Sequence, residues 1–272
     1  MNAATTGTTA AVDGAPPSAD ELTALVLARD FRADDRVIQI GANMAAARAG
    51  AILANLTRLP DARIFVGLAV ENLAGGRPAP PVHPFLFDAR GLQAGEAYLH
   101  QHSVFDDMAR PDVFFVGGLQ VDRRGNVNLL GIPDGAGGWK LRGPGPVALA
   151  TMSTSCRGYY IVMGRHDPRT FVERVASITA LGDRTRRAEL GFPGGGPRLL
   201  CSPLGVFDFD DAGDMRLVSV HPGVTVEEVV AATGFDLVLP ADVPATAAAT
   251  EEELTVLRTQ ADPQGLLRGG TA

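Results

Sequence analysis

The sequence predicts an α/β domain with a mainly parallel sheet and some antiparallel hairpins. Short apolar stretches at 113–116 (VFFV) and 159–163 (YYIVM) are typical of strands buried on both faces. Segments with helical spacing or helix-capping signals alternate with such stretches, as in a parallel sheet covered by helices. The length of 272 residues and the 46% hydrophobic content support one substantial core. We therefore predict one domain over 18–265, between loose tails at 1–17 and 266–272.

Composition excludes several functional classes. A net charge of −7 argues against a nucleic-acid partner, because phosphate binding needs concentrated Lys and Arg. The two cysteines, Cys156 and Cys201, lack the number and spacing of a disulfide framework or a zinc site, so we expect small buried side chains. No segment approaches the roughly 20 apolar residues that span a bilayer, and the N-terminus lacks a basic region followed by an apolar one. We expect a cytoplasmic protein without a membrane partner.

The first elements form a β-α-β step. A capping box at Ser18–Glu21 starts a helix with an apolar stripe. The segment 35–41 predicts a strand that ends in glycine, and the alanine-rich segment 43–55 predicts the helix that follows. The next strand is predicted at 63–70, after a right-handed crossover, with Glu71 just past its end.

Glycine and proline interrupt the middle of the chain. The segment 75–84 predicts a loop over the strand ends, and 104–109 predicts a short helical stretch. Seven glycines or prolines among the twelve residues of 135–146 predict a loop around Trp139, Lys140 and Arg142. Two cations and an indole on mobile backbone would suit an anionic aromatic ligand, and an ordinary surface loop is the alternative.

Alternation of strands and helices resumes in the C-terminal half. Capping boxes at Thr225–Glu228 and Thr250–Glu253 start two helices, and 240–249 between them is predicted as a linker. The other predicted elements are a helix at 168–176, strands at 198–202, 205–209 and 215–220, and an acidic turn at 210–214.

The stretch FFVGGLQVDRRGNVN (114–128) predicts a candidate site. Gly117 and Gly118 remove two β-carbons where the buried strand leaves the core. Period-two alternation on both sides of the turn at Arg124–Gly125 places Leu119, Val121, Val127 and Leu129 on one face. The opposite face gathers four polar side chains beside bare backbone: Gln120, Asp122, Asn126 and Asn128.

Familiar motifs of other enzyme classes are absent from the sequence. The first strand closes with Gly41-Ala42-Asn43, without G-x-G-x-x-G spacing, and no G-x-x-x-x-G-K-[ST] occurs. No G-x-S-x-G elbow for a serine hydrolase is present. His100 and His102 lack a neighbouring carboxylate or cysteine pair, so no metal is expected there. The remaining histidines are isolated in the sequence: His83, His166 and His221.

The segment from Phe115 to Asn128 resembles the G-G-A-Q-x-D-x-x-G-N-x-N signature of β subunits of family I CoA-transferases, such as glutaconate CoA-transferase. The stretch 204–233 is similar to the β subunit of the CoA-transferase-like ring-opening hydrolase of steroid degradation. Together the resemblance extends over residues 19 to about 265. It implies an open α/β sandwich that pairs with an α-type subunit, as a heterodimer or heterotetramer, with the active site at their interface. It also implies acyl-CoA substrates and no cofactor beyond the coenzyme A of the substrate.

Two departures from the family pattern bear on the mechanism. In the transferases a β-subunit glutamate attacks the thioester, whereas the aligned position here is Gly67, and only a four-residue shift brings Glu71 into place. Glycine cannot replace a carboxylate, whose attack forms the reactive anhydride. The transferases also resemble one another in a G-x-G-G-A-N loop that holds the oxyanion. Here 143–147 reads GPGPV, and its two prolines remove two donors.

Three functional hypotheses follow. The favoured one is the β subunit of a hydrolase or lyase whose acid–base glutamate comes from the α partner, as the resemblance to the ring-opening hydrolase implies. The second is a transferase with Glu71 as nucleophile, and the third is a scaffold without chemistry. Asn126 or Asn128 could donate to the thioester oxygen, while Gln120 and Asp122 hold the hairpin in place. Asn128 is the candidate catalytic residue, with turn capping as its alternative role. The candidate substrate-binding residues are Gly117, Gly118, Gln120, Asn126, Gly143 and Gly145.

Overall fold

The computed structural model describes residues 14–41, 43–66, 70–71, 97–98, 111–146 and 148–269. Its α-helices are α1 (Ala19–Asp30), α2 (Ala45–Thr57), α3 (Leu149–Ser155), α4 (Arg184–Glu189), α5 (Val226–Ala232) and α6 (Glu251–Val256). A π-helical turn (Leu257–Ala261) continues α6, and a 3-10 helix (Leu266–Arg268) follows. The strands are β1 (Val37–Ile40), β2 (Arg63–Val66), β3 (Val70–Glu71), β4 (Ala97–Tyr98), β5 (Val113–Val116), β6 (Gln120–Asp122), β7 (Val127–Asn128), β8 (Gly131–Pro133), β9 (Trp139–Arg142), β10 (Gly158–Val162), β11 (Phe171–Val172), β12 (Pro197–Cys201), β13 (Gly205–Phe209) and β14 (Met215–Val220).

The main sheet has nine strands in the order β14-β13-β12-β10-β5-β1-β2-β3-β4. The five central strands from β12 to β2 are parallel, and two antiparallel strands extend each side. This arrangement confirms the predicted mixed α/β fold. The chain builds outward from β1 through β2, then returns to place β5 on the other side of β1. The strand order therefore reverses between β1 and β5. Open α/β sheets bind ligands in the crevice at the carboxyl ends of the strands at such a reversal, so we expect a ligand site there.

Both faces of this sheet are covered, which explains the uninterrupted apolar strands. Val113 and Phe115 belong to the core beneath α1 and α2, and that core also includes Leu25 and Ile52. Phe114 and Val116 point to the other face, into a second core formed with side chains such as Phe171 and Phe207. Alternate residues of β5 therefore serve different cores, so no position on this strand tolerates a polar residue.

Several local predictions are confirmed. The side chains of Ser18, Thr225 and Thr250 each accept a hydrogen bond from the third helical backbone amide. The carboxylate of the glutamate at that third position accepts a hydrogen bond from the backbone amide of the N-cap residue. The β13–β14 hairpin forms around the acidic turn at 210–214, and 240–249 holds no helix or strand. The short helices α3 and α4 were not anticipated. No helix among the described residues combines the length and apolarity needed to cross a membrane.

The predicted single strand over 63–70 is wrong. The strand β2 ends at Val66, and the chain reverses so that Val70 and Glu71 pair antiparallel with Val66 and Phe65. Glu71 is therefore part of a strand that returns along β2 and does not lie just past the carboxyl end of a longer strand. The difference arises because periodicity alone cannot show a reversal within one apolar run.

The predicted helix at 168–176 is also wrong. The Asp167 carboxylate accepts hydrogen bonds from the backbone amides of Arg169 and Thr170, at 2.9 and 3.0 Å, and closes a local turn. Such side-chain bonds compete with helix formation. Phe171–Val172 then pairs in parallel with β6, which gives the three-stranded sheet β11-β6-β7.

Two segments predicted as loose are ordered. The glycine-rich segment 135–146 contains β9, which pairs antiparallel with β8. The segment predicted as a C-terminal tail begins with the 3-10 helix, where Leu267 is buried and its carbonyl accepts a hydrogen bond from Ser18 Oγ at 2.7 Å. The packing of this apolar side chain extends the folded chain beyond residue 265. Gly67, the segments 75–84 and 104–109, and residues 1–13 of the predicted N-terminal tail lie outside the described residues.

A buried ion pair joins the two ends of the chain. The Arg258 guanidinium donates to both carboxylate oxygens of Glu21, at 2.9 and 3.0 Å, and both side chains are almost wholly buried. Burial alone would raise the pKa of Glu21, but hydrogen bonds from Arg258 and Ser18 hold that pKa below its ordinary value. The pair fixes the C-terminal helices against α1.

Removing one partner of this pair should be more damaging than removing both. Arg258→Met leaves the Glu21 carboxylate buried without its main partner, and we expect a loss of about 3–5 kcal/mol in unfolding free energy. Adding Glu21→Gln should restore part of that loss in urea denaturation. Arg186→Gln, which breaks an exposed pair with Glu189, is the control and should change stability by less than about 1 kcal/mol. A double variant less stable than Arg258→Met would contradict this account.

Candidate active site

The crevice between β1 and β5 is lined by glycine backbone and by Met44. Gly117 follows β5, and a Cβ atom placed on it would lie 2.8 Å from Met44 Cε, so the flexible end of the methionine lies directly against this glycine. On the β1 side, Asn43 adopts a positive φ of 56° between the strand and α2. The crevice is thus shaped by backbone turns at the carboxyl ends of two adjacent parallel strands.

The helix α2 starts at this crevice without a side-chain cap. Its N-cap residue, Met44, makes no side-chain hydrogen bond, and the first turn contains no acidic residue. The amide groups at such a helix start carry partial positive charge and favour a negatively charged group. The sequence-based predictions missed this feature, although the lack of a capping box before α2 was a visible signal.

The polar hairpin has the predicted pairing. Gln120 lies opposite Asn128, and Val121 lies opposite Val127, in the antiparallel pair β6–β7. Asn128 Nδ2 donates to Gln120 Oε1 at 2.9 Å. The four polar side chains are all buried, with exposed fractions between 0% and 9%. They therefore bond mainly to one another and to neighbouring backbone.

The Asn128 amide is fully hydrogen-bonded within the protein. Besides Gln120, Nδ2 donates to the Gly131 carbonyl at 2.9 Å, and Oδ1 accepts from the Leu130 and Gly131 amides at 2.9 and 3.3 Å. The residue has no exposed surface. Asn128 shapes the turn that leads into β8, and a direct contact with substrate would require these bonds to break. Its catalytic role stays a prediction.

Asn126 and Asp122 hold a second segment in place. Asn126 Oδ1 accepts from the backbone amides of Gly182 and Asp183, at 2.9 and 3.1 Å, and its Nδ2 donates to Asp122 at 3.1 Å. Burial raises the pKa of Asp122, although hydrogen bonds from Asn126 and Arg124 favour the charged form. This half of the polar face therefore fixes the chain that leads into α4.

Gln120 differs from its neighbours because it has a spare donor. Its Oε1 accepts from Asn128 and from the Ala176 amide at 3.1 Å. Its Nε2 donates to no residue in the part of the chain that the structure describes. Because this donor is unused within the described residues and Gln120 lies three residues beyond Gly117 in the chain, its amide is a candidate contact for a ligand.

The glycine loop presents no free backbone donor over 143–146. The Gly143 amide donates to the Leu130 carbonyl at 2.9 Å, and the Gly145 amide donates to the Leu129 carbonyl at 3.3 Å. Pro144 and Pro146 have no N–H group. A Cβ atom on Gly143 would lie 2.3 Å from the Leu129 carbonyl oxygen, so this glycine permits the close approach of two chain segments.

Gly118 also has a packing role, since a Cβ atom there would lie 2.3 Å from Val127 Cγ1. Gly145, with a φ of 88°, is open: no atom lies within 4 Å of its Cβ position. The structure describes the backbone of Glu71 on β3 but not its side chain. The sequence-predicted residues thus divide into packing positions, hydrogen-bonded supports and a smaller set that faces open space.

The histidines described by the structure are internal. His166 bonds to Ser202 Oγ and Thr233 Oγ1, at 2.9 and 3.0 Å, and burial lowers the pKa of its imidazole to about 4. His221 is buried against Thr246 and the Ser202 carbonyl. Both cysteines are unpaired and buried. Among the described residues, no group of three or more His, Cys, Asp or Glu side chains could hold a metal ion.

Comparison with known proteins identifies the class. No protein-family model matches the chain. It is 33% identical over 214 residues to a 3-oxoadipate CoA-transferase subunit of Pseudomonas knackmussii, and this alignment covers 75% of this chain and 80% of the relative. It is 31% identical over 266 residues to the cholesterol ring-cleaving hydrolase IpdB subunit of Mycobacterium tuberculosis, and this alignment covers 90% of this chain and 95% of the relative. The chain belongs to the CoA-transferase β-subunit family, as the sequence resemblance implied.

Solved structures agree with this assignment. The Rhodococcus jostii IpdAB structure matches with a TM-score of 0.76 and 26% identity over 94% of this chain and 98% of that chain. Glutaconate CoA-transferase from Acidaminococcus fermentans also gives a TM-score of 0.76, at 24% identity, over 92% and 96%. The decarboxylase AibA/AibB gives 0.76 at 23% identity, over 93% and 98%. The last two likenesses show the fold.

The role of Asn128 can be tested by substitution. Because its amide satisfies buried groups on four sides, Asn128→Ala should lower the unfolding free energy by about 2–4 kcal/mol. The kcat of the folded enzyme should fall by less than about tenfold, because Asn128 acts only through the position of Gln120, which the Ala176 amide also holds. Asn55→Ala, which removes an amide at the far end of α2, is the matched control. A fall in kcat on the order of 100-fold, with stability unchanged, would instead identify Asn128 as a direct oxyanion donor.

Proposed function

We propose that this chain is the β subunit of a two-subunit enzyme that acts on an acyl-CoA thioester, with the acid–base glutamate supplied by an α-type partner. The reaction is a hydrolase or lyase reaction that cleaves a C–C bond or a ring. Support comes from relatives that are named as subunits of CoA-transferases and of a ring-cleaving hydrolase. The similarity to the ring-cleaving hydrolase subunit extends over 90% of this chain. The reaction needs no cofactor beyond the coenzyme A of the substrate.

The closed glycine loop is the observation that favours this reaction over CoA transfer. In the transferases the backbone amides of the corresponding stretch hold the thioester oxyanion, as the sequence resemblance implies. Here the amides of Gly143 and Gly145 already bond to carbonyls, and the two prolines have none. An oxyanion would lose the donors that such a loop supplies, and each donor is worth about 3 kcal/mol in comparable sites.

Stabilisation of negative charge then comes from the crevice itself. The uncapped start of α2 follows β1 in the chain, and Gln120, whose Nε2 donor is spare, lies on β6, which follows β5. Donors and helix termini fixed before the reaction favour charge that develops on the substrate carbonyl. In this mechanism Gln120 and the start of α2 orient and polarise the thioester, while the partner's carboxylate is the acid–base group. The unpaired cysteines fit a reducing cytoplasmic location.

A transferase remains the second candidate because the relative at 33% identity is a CoA-transferase subunit. In that reaction Glu71 attacks the thioester and carries CoA. A third candidate is a scaffold that binds acyl-CoA in the crevice, with no catalysis by either subunit. The first two candidates differ in whether a covalent intermediate forms on this chain.

Dependence on a partner is the first test. We expect the purified chain to be inactive and poorly soluble, because large apolar side chains remain exposed, including Ile178, Leu190 and Leu239 at 45–56%. Co-expression with an α-type subunit should yield a stable complex that turns over an acyl-CoA. A monodisperse single chain that turns over acyl-CoA unaided would refute the two-subunit proposal.

Substitution of Glu71 separates the two reactions. In the complex, Glu71→Ala should retain most activity, and hydroxylamine or borohydride added with acyl-CoA should modify no glutamate of this chain. Glu173→Ala, which removes an exposed glutamate, is the control and should leave turnover unchanged. Loss of turnover in Glu71→Ala with an intact fold, together with trapping at Glu71, would establish the transferase mechanism instead.

A further inference from the structure

The β8–β9 hairpin concentrates two residue types found nowhere else in the sequence. Trp139 is the only tryptophan and Lys140 the only lysine among the 272 residues. All four residues of β9 are exposed, with Trp139 at 45% and Leu141 at 48%. Few other apolar side chains of this size are as exposed in the described chain. An indole and an ammonium group are thus offered side by side to solvent.

A bulge in the hairpin interrupts the alternation of side chains between Trp139 and Lys140. Ile132 pairs with Leu141 and Pro133 pairs with Trp139, which leaves Lys140 as an extra residue on β9. Such an extra residue interrupts the alternation of side chains between the two faces of a strand. Lys140 is therefore not confined to the face opposite Trp139.

A second cation completes the group. The Arg142 guanidinium carbon lies 5.2 Å from the centroid of the Trp139 ring. Its Nη1 donates to the carbonyls of Leu130 and Gly143, which fixes the guanidinium beside the indole. Within the described residues, neither Lys140 nor Arg142 forms an ion pair with a carboxylate. Among the described residues, an anion that binds these two cations would therefore compete with no carboxylate.

The indole of Trp139 also packs against the backbone of Gly131. A Cβ atom on Gly131 would lie 2.7 Å from Trp139 Cε3, so the ring rests directly on glycine backbone. The carbonyl of the same glycine accepts the hydrogen bond from Asn128. The indole is thereby connected to the polar hairpin beside the crevice, and little side-chain freedom remains to be lost on binding.

We propose that Trp139, Lys140 and Arg142 bind the nucleotide end of coenzyme A. This end is a 3′-phosphorylated adenosine diphosphate, which combines a purine ring with several phosphate charges. Its adenine would contact the indole, while the two cations pair with phosphate oxygens. The inference rests on the proposed action on acyl-CoA and adds the subsite that selects the coenzyme. A contact with the partner subunit is the competing use of this hairpin.

Kinetics of the co-expressed complex provide the test. KM and kcat are measured for a CoA thioester and for the same acyl group on pantetheine, which lacks the nucleotide. Trp139→Leu and Lys140→Gln should each raise KM for the CoA thioester by about tenfold, the range found for a base stacked on an aromatic side chain. The kcat should stay within about twofold, because a remote contact contributes uniform binding. Both variants should match the wild type on the pantetheine thioester.

Arg36→Gln is the matched control, since Arg36 is an exposed cation outside the hairpin with a side chain 62% exposed. An unchanged KM for the CoA thioester in both hairpin variants would overturn the inference. An equal rise in KM for the CoA thioester and the pantetheine thioester would also overturn it. Failure of the variants to assemble with the partner in gel filtration would overturn it too, and would assign the hairpin to the subunit contact.

Direct binding distinguishes this inference from the proposed function. Adenosine 3′,5′-bisphosphate is titrated against the complex, and the signal of Trp139 is taken as the fluorescence difference from Trp139→Leu. Saturable quenching that Lys140→Gln weakens is expected, and no change in that signal would overturn the inference. A complex that turns over no CoA thioester would refute the proposed function, yet this titration would still decide whether the hairpin binds a nucleotide.

Discussion

The buried hydrogen bond between Asn128 and Gln120 is the interaction on which the candidate site depends. It closes the polar face of the β6–β7 hairpin, and the remaining groups of Asn128 set the turn into β8. The carbonyls of Leu129 and Leu130, which follow in that turn, accept the amides of Gly145 and Gly143. One buried amide pair thus determines where the glycine loop and the exposed hairpin lie. Buried polar networks of this kind have strong geometric effects because each unsatisfied group is costly.

The same arrangement limits what this chain can do by itself. The polar residues that looked most suited to catalysis are mostly bonded to one another, whereas donors remain available at Gln120 and at the start of α2. In our proposed function, these donors bind and polarise the carbonyl group of the substrate. Within the described residues the crevice between β1 and β5 presents no carboxylate that the structure shows poised for proton transfer. A partner that supplies one would complete the site, as in our proposed function.

Local signals in the sequence predicted much of the fold. The capping boxes at Ser18, Thr225 and Thr250 formed because their hydrogen bonds span only three residues. The hairpin faces followed from strict alternation around 120–128. Long-range contacts decided the failures. The segment after Asp167 left its helical pattern because a local turn and the edge of β6 were available. β9 formed within a glycine-rich segment because β8 could pair with it, and the reversal at β3 left no trace in periodicity.

The most direct test is a crystal structure of the co-expressed complex with an acyl-CoA analogue in which a methylene group replaces the thioester sulfur, because this analogue is inert and keeps the acyl carbonyl. We expect the acyl carbonyl to lie over the carboxyl ends of β1 and β5, near Gly117, within hydrogen-bonding distance of Gln120 Nε2 or the first amides of α2. We also expect a glutamate from the α-type partner next to the acyl group. An analogue bound away from this crevice, or a carbonyl held by the amides of Gly143 and Gly145, would refute the proposed site.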